Sequence, residues 1–339
     1  MTATDTLARQ IQHVIDTKTK PLGALGRIEA LAAQIAALQH SLAPRMESCT
    51  LTIFAADHGI ARAGVSAFPQ EVTAQMVLNF LNGGAAANVF ARMQEIGLQV
   101  VDAGVAGTPI DHPDLIARRI GAGTASFLDG PAMSPAQAEA ALAQGAAVAR
   151  EAAGDALAFG EMGIGNTAAA AALSHKLSGL PLAVLVGRGT GLDDAGLERK
   201  LDILTRACAR TGALDARAAM AEYGGFEIVM MAGAMLAAAQ ARRLVLVDGF
   251  IATAAALLAL ALDPAIRPAL VFAHRSHEAG HRALLDHLDA RPLLELDMRL
   301  GEGTGALLAW PLLRAAARMM TEMASFDEAG VSNRDSNPA

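Results

Sequence analysis

The chain has 339 residues, enough for one large α/β domain or two medium ones with an ample core. Its 27 Lys+Arg against 34 Asp+Glu give a net charge of -7, with no basic block to follow a phosphate backbone. Aromatic content of 4%, with one Trp and one Tyr, leaves no base-stacking surface, so a small ligand is expected and not a nucleic acid.

The opening segment MTATDTLARQ lacks the apolar core of a signal peptide, and the longest apolar stretch, residues 249–262, is bounded by Asp248 and Asp263. That is short of the roughly 20 residues needed to span a bilayer, so no membrane association is expected. Cys49 and Cys208 lie far apart and form no CxxC pair, which argues against a disulfide framework and fits a reducing, cytoplasmic compartment.

Leu7, Ile11, Val14 and Ile15, then Ile28, Leu31, Ile35 and Leu38, recur at helical spacing and predict two N-terminal helices joined by a turn at Pro21, Gly23 and Gly26. From Thr50 the pattern changes to short apolar runs followed by helical stretches. The runs are LTIFAA, LQVVDAG, ALAFGE, LAVLVG, RLVLVDG and ALVFAH. Such alternation predicts right-handed βαβ units, hence a doubly wound α/β fold with a mostly parallel sheet and helices on both faces. A last helix is expected from Glu302 to about Met323, packing with the N-terminal pair as a small helical subdomain.

Ligands of open parallel sheets bind beyond the carboxyl ends of the strands, and there the chain is rich in glycine and charge. The segments are Asp57-His58-Gly59, Asp102-Ala103-Gly104, GEMGIGNT from Gly160, GRGTG from Gly187, Asp248-Gly249 and His274-Arg275-Ser276. Gly163, Gly165, Asn166 and Thr167 stand between a strand and an alanine-rich helix, where backbone N–H groups can hold a phosphate. A dinucleotide fingerprint would need GxGxxG after the first strand and an acid at the end of the next, and LAVLVGRG ends without one. A mononucleotide phosphate fits better, with Glu161 on a ribose hydroxyl or in a positioning role. Gly187, Gly189, Thr190 and Gly191 offer a second glycine loop, with Lys200 as a phosphate cation or a solvated helix-face lysine. VDGFIATAAA lacks, at Gly249, the second acid of the loop that binds a pyrophosphate donor, which disfavours that donor class.

His277-Glu278-Ala279-Gly280-His281 is a formal HExxH, with His287 six residues on. The extended zinc-protease signature wants glycine where Leu284 stands, and Leu284 and Leu285 continue an apolar helical face, so an ordinary helix surface is favoured over a metal site. Arg299-Leu300-Gly301-Glu302-Gly303 flanks an acid with glycines, giving backbone room for a ligand. A helix-start charge is the alternative for Glu302.

Taken together, AADHGIARAGVSAFPQEVTAQMVLNFLNGGAAANVFAR, GEMGIGNTAAAAAL, VGRGTGLDD, GGFEIVMMAGA, VDGFIATAAAL, AHRSHEAGH and LDMRLGEGTGALLAWPLL resemble the nicotinate-nucleotide-dimethylbenzimidazole phosphoribosyltransferase family over almost the whole chain. The resemblance implies a homodimer with residues 1–45 and 302–339 forming a small helical domain and 46–301 an α/β domain. It implies transfer of phosphoribose from nicotinate mononucleotide to a benzimidazole-type base, with no cofactor or metal. Glu302 matches the family's catalytic base. The segment with Ser66, Phe68, Pro69 and Gln75, with Leu300 nearby, matches the wall of the base pocket. The loops around Glu161 to Thr167 and Gly187 to Gly191, with Lys200 and Ser276, match the nucleotide side. His277 departs from the family pattern, where a small residue is common, so the HExxH is read as an accident of that substitution. A zinc hydrolase and a non-catalytic nucleotide-binding sensor are the competing readings. The former predicts metal dependence, and the latter predicts binding without release of nicotinate.

Overall fold

A computed structural model describes residues 3–332. Its centre is a six-stranded parallel sheet of β1 (Cys49–Ala56), β2 (Gly97–Gly104), β3 (Leu115–Ala117), β4 (Ala156–Met162), β5 (Leu244–Val247) and β6 (Leu270–Phe272), in the order β3-β2-β1-β4-β5-β6. A two-residue parallel ladder of β7 (His274–Arg275) and β8 (Leu294–Glu295) extends beyond β6. The doubly wound α/β architecture expected from the alternating pattern is present.

Strands β1, β4, β5 and β6 are buried on both faces, and the strand side chains divide by parity between two cores. Phe54, Phe159 and Val247 join a core with helices Pro135–Glu151, Asn166–Ser178, Phe226–Gln240 and Phe250–Leu262. Leu51, Ile53, Ala158 and Leu246 join a second core with Ile11, Leu31, Ile35, Trp310 and Leu313. This second face is covered by helices from both ends of the chain, Ala3–Asp16, Arg27–Gln39 and Thr304–Glu322. The two ends are also tied directly, by a bridge between Lys18 and Ser325 and by Lys18 Nζ donating to Met323 O at 2.6 Å.

One expectation is corrected. LAVLVG does not enter the sheet: Leu182–Leu185 is one helical turn after Pro181, and the remaining strand is β3, at the opposite edge. A short apolar run cannot be told from a buried helical turn by its period alone. Helix Phe226–Gln240, rich in alanine and methionine, is buried almost throughout. It crosses helix Pro135–Glu151 so closely that a Cβ on Gly145 would lie 1.9 Å from Met230 O, and one on Gly233 2.1 Å from Leu142 O. Its small residues serve an internal contact.

Candidate active site

The chain winds outward from β1 in one direction through β2 and β3, and in the other through β4, β5 and β6. The switch point therefore falls between β1 and β4, and a crevice opens past their carboxyl ends. There lies a cavity of about 450 Å³. Its wall draws on the end of β4, the start of helix Phe250–Leu262, the segment 299–302, and Phe68, Val72 and Met76.

Glu161, near the end of β4, is buried and accepts a hydrogen bond from Asn166 Nδ2. Burial pushes its carboxyl well above the usual range, the negative charges of Glu227, Asp248 and Glu302 add to this, and the Asn166 bond opposes it. The following loop is pressed against β1, since a Cβ on Gly163 would lie 2.2 Å from Ala56 O. Ile164 N donates to Thr73 Oγ1 at 3.1 Å, and Gly165, with φ of +97°, turns the chain into helix Asn166–Ser178.

Behind this loop Lys200 is fully buried, so it is not a solvated helix-face lysine. Its Nζ donates to Thr167 Oγ1 at 2.8 Å and to Gly187 O at 3.0 Å. Burial pulls its pKa down to about 8, partly opposed by Glu278. Glu278 Oε1 accepts from Gly189 N at 3.1 Å. Gly187 is small for a reason other than a ligand: a Cβ there would lie 2.0 Å from Glu278 Oε1. Of the expected nucleotide-side residues, Glu161, Gly163, Asn166, Thr167, Gly189, Thr190 and Ser276 line the cavity, whereas Gly165, Gly187 and Lys200 do not reach it and Gly191 is exposed outside it.

Ser276 is fixed by His281, whose Nδ1 accepts from Ser276 N at 2.9 Å while Nε2 meets Thr253 Oγ1 at 2.9 Å. The ring is therefore neutral, and burial with the neighbouring His274 holds its pKa down to about 3. His277, by contrast, is exposed, and the helix starts only at Ala279. His277 and His281 thus do not stack on one helical turn, and the HExxH string does not form the paired ligands of a zinc-protease helix.

Glu302 lies in a run of left-handed residues, with φ of +86° at Gly301, +62° at Glu302 and +82° at Gly303. A non-glycine residue holds that conformation only where its surroundings impose it. Here Asp248, at the end of β5, accepts from Gly303 N at 3.2 Å and Ala306 N at 2.9 Å, anchoring the turn. Close approach completes the clamp: a Cβ on Gly160 would lie 2.5 Å from Glu302 O, and one on Gly301 2.4 Å from Glu161 Oε1. The helix begins at Thr304, so Glu302 precedes it instead of starting it. Burial and then Asp248 push the Glu302 carboxyl up, while the Ala87 backbone N–H holds it back. Its Oε2 is buried and has no hydrogen-bond partner among the described residues.

On the base side, Phe68 and Leu300 line the cavity and are about half exposed, whereas Ser66, Pro69 and Gln75 do not reach the wall. Ser66 Oγ instead meets Thr190 Oγ1 at 3.4 Å. Val72 and Met76, one turn apart on helix Val72–Leu81, take the place expected of Gln75. Sequence reasoning missed Ile251 and gave Arg299 and the carboxylate anchor Asp248 no role beyond their place in the glycine-rich segments. Asp248 was visible as the end of an apolar run, but no local signal pairs it with a turn 55 residues on. It is also the acid at the end of the strand after β4, and its oxygens hold the 303–306 turn and not a ribose. The acid-free run LAVLVGRG is thus no longer the reason to set a dinucleotide aside.

A phosphoribosyltransferase family model matches residues 2–331. A nicotinate-nucleotide–dimethylbenzimidazole phosphoribosyltransferase of Aromatoleum aromaticum is 57% identical over 332 residues, covering 97% of this chain and 96% of that protein. One of the same name from Cupriavidus necator is also 57% identical, over 334 residues. The chain belongs to the nicotinate-nucleotide–dimethylbenzimidazole phosphoribosyltransferase family. The crystal structure of CobT from Thermus thermophilus shares its fold, with a TM-score of 0.94 at 49% identity, covering 97% of this chain and 99% of that one. The cavity of this phosphoribosyltransferase family member has a polar wall of glycine loops and an apolar one of Phe68, Val72, Met76 and Leu300.

Proposed function

We propose that this chain transfers the 5-phosphoribosyl group of nicotinate mononucleotide to 5,6-dimethylbenzimidazole or a related base, giving α-ribazole 5′-phosphate and nicotinate for the nucleotide loop of cobalamin, with Glu302 as general base. The observation that carries this reading is the buried Oε2 of Glu302 at the cavity wall, which has no hydrogen-bond partner among the described residues. The nicotinate ring nitrogen is cationic in the mononucleotide, so the C1′–N bond breaks without protonation of the leaving group and without a cofactor. As a benzimidazole nitrogen bonds to C1′ on the opposite face, the base becomes cationic and its other N–H becomes acidic. Glu302 takes that proton, and its raised pKa makes its carboxylate the stronger acceptor.

On the nucleotide side the start of helix Asn166–Ser178, with Thr167 supported by Lys200, suits the phosphate. Glu161, its carboxyl pushed up by burial and by neighbouring acids, suits a hydrogen bond with a ribose hydroxyl. Exposed Leu78, Val89 and Met93 on helices Val72–Leu81 and Ala86–Met93 suit the second copy of a homodimer, and a monomer in light scattering at micromolar concentration would exclude it. Buried, unpaired Cys49 and Cys208 suit a cytoplasmic setting.

Glu302→Gln tests the assignment. The chemical step is expected to slow roughly 10²–10⁴-fold with little change in KM for nicotinate mononucleotide. Because a raised carboxyl pKa means that the ionised form is disfavoured by folding, the variant should melt no lower than the parent at pH 7. Retained turnover with a lower Tm would make Glu302 a structural residue.

A further inference from the structure

The buried pair His58 and Glu227 has no part in the chemistry just described, yet it stands directly under the 163–167 loop. His58 follows β1, Glu227 lies in the first turn of helix Phe226–Gln240, and His58 Nε2 meets Glu227 Oε1 at 2.6 Å with both side chains wholly buried. Three glycines make room for the pair. A Cβ on Gly163 would lie 3.2 Å from His58 Nε2, one on Gly165 3.3 Å from His58 Cβ, and one on Gly225 2.3 Å from His58 Cε1. Two of these glycines belong to the loop that lines the cavity or turns into its helix, so the ring is the surface on which that loop rests. The second oxygen of Glu227 and Nδ1 of His58 have no hydrogen-bond partner among the described residues. A buried polar pair with unspent hydrogen-bonding capacity is costly, and a well-packed apolar pair would fill the space without that cost.

We propose that His58 and Glu227 are positioning residues for the nucleotide side: the ring sets the height of the Gly163–Thr167 loop above the sheet, and the Glu227 carboxylate fixes the ring. The proposal rests on the reading that this loop holds nicotinate mononucleotide. The negative charge of Glu227 also reaches Glu161 and adds to the push on its carboxyl, so the same residue acts on the loop's geometry and on its first acid. A small displacement of substrate-holding groups by residues distant from the chemistry can cost as much as about 10²-fold, which makes the effect measurable.

The test uses three variants of the full chain, with KM for each substrate and Tm measured for all. Glu227→Gln keeps the shape and removes the charge. Gly225→Ala removes no polar group and, at an ordinary extended backbone conformation, pushes a methyl group into the ring. Thr167→Ala probes the loop itself. The expected result is a rise in KM for nicotinate mononucleotide of about tenfold or more in both Glu227→Gln and Gly225→Ala, with KM for the base within about twofold. If Thr167→Ala raises that KM and the other two do not, the positioning role is wrong. If Thr167→Ala leaves it unchanged, the loop is not the nucleotide site. Loss of folded protein in Glu227→Gln leaves Gly225→Ala to decide, and a fall in Tm or in active fraction with both KM values intact would make the pair structural only.

Discussion

The two walls of the cavity are built on different physical terms. The wall proposed for the nucleotide is overdetermined: Glu161, Asn166, Thr167 and Ser276 are each tied to a buried partner, and behind them Lys200 and His281 have no exposure to solvent. The wall proposed for the base is a handful of apolar side chains, two of them half exposed, with Glu302 beside them. Buried hydrogen-bonded groups reject ligands that leave them unpaired, whereas an apolar surface separates similar ligands weakly. The protein should therefore be strict about the nucleotide and tolerant of the base.

The largest effect expected of this comparison is at Lys200. Lys200→Met removes the charge and leaves Thr167 Oγ1 and Gly187 O without their donor, so KM for nicotinate mononucleotide should rise roughly ten- to a hundredfold while that for the base stays within about twofold. A parallel change in both constants would erase the distinction between the walls. In the parent enzyme the same KM should climb as pH passes about 8, where Lys200 loses its proton, and the climb should vanish in the variant. Stability should respond with the opposite sign. The unfolded lysine keeps its proton toward 10.5, so between about 8 and 10.5 the unfolded chain binds more protons and this group's contribution to stability grows with pH. Smaller effects belong to the apolar side. Leu300→Ala and Phe68→Ala, at half-exposed positions, should each raise KM for the base by about three- to tenfold and leave the nucleotide untouched. His277→Ala, exposed and outside the cavity, is the control that should move neither constant.

The sequence was most legible where function is written in consecutive residues. The 160–167 segment at the end of β4, Glu302 between its own glycines, and five of the six apolar runs as strands were visible in the sequence alone. It was least legible where two distant segments share one contact. Asp248 meets the turn after Glu302, His58 meets Glu227, and Glu278 presses on Gly187, and each pairing exists only because the sheet order brings strand ends together. Gln75 and LAVLVG failed for a simpler reason, since the side on which a residue faces, or whether a short run coils, is settled by packing and not by composition.

One measurement bears most directly on the two-wall account: nicotinate mononucleotide is incubated with a panel of benzimidazoles and purines, and the products are identified by mass and anomeric configuration. The account predicts that several bases are accepted, each giving an α-linked ribotide with one nicotinate released per product, and that the nucleoside lacking the phosphate is turned over far less well with all of them. A β-linked product, release of nicotinate by hydrolysis alone, or equal use of the phosphate-free nucleoside would contradict it.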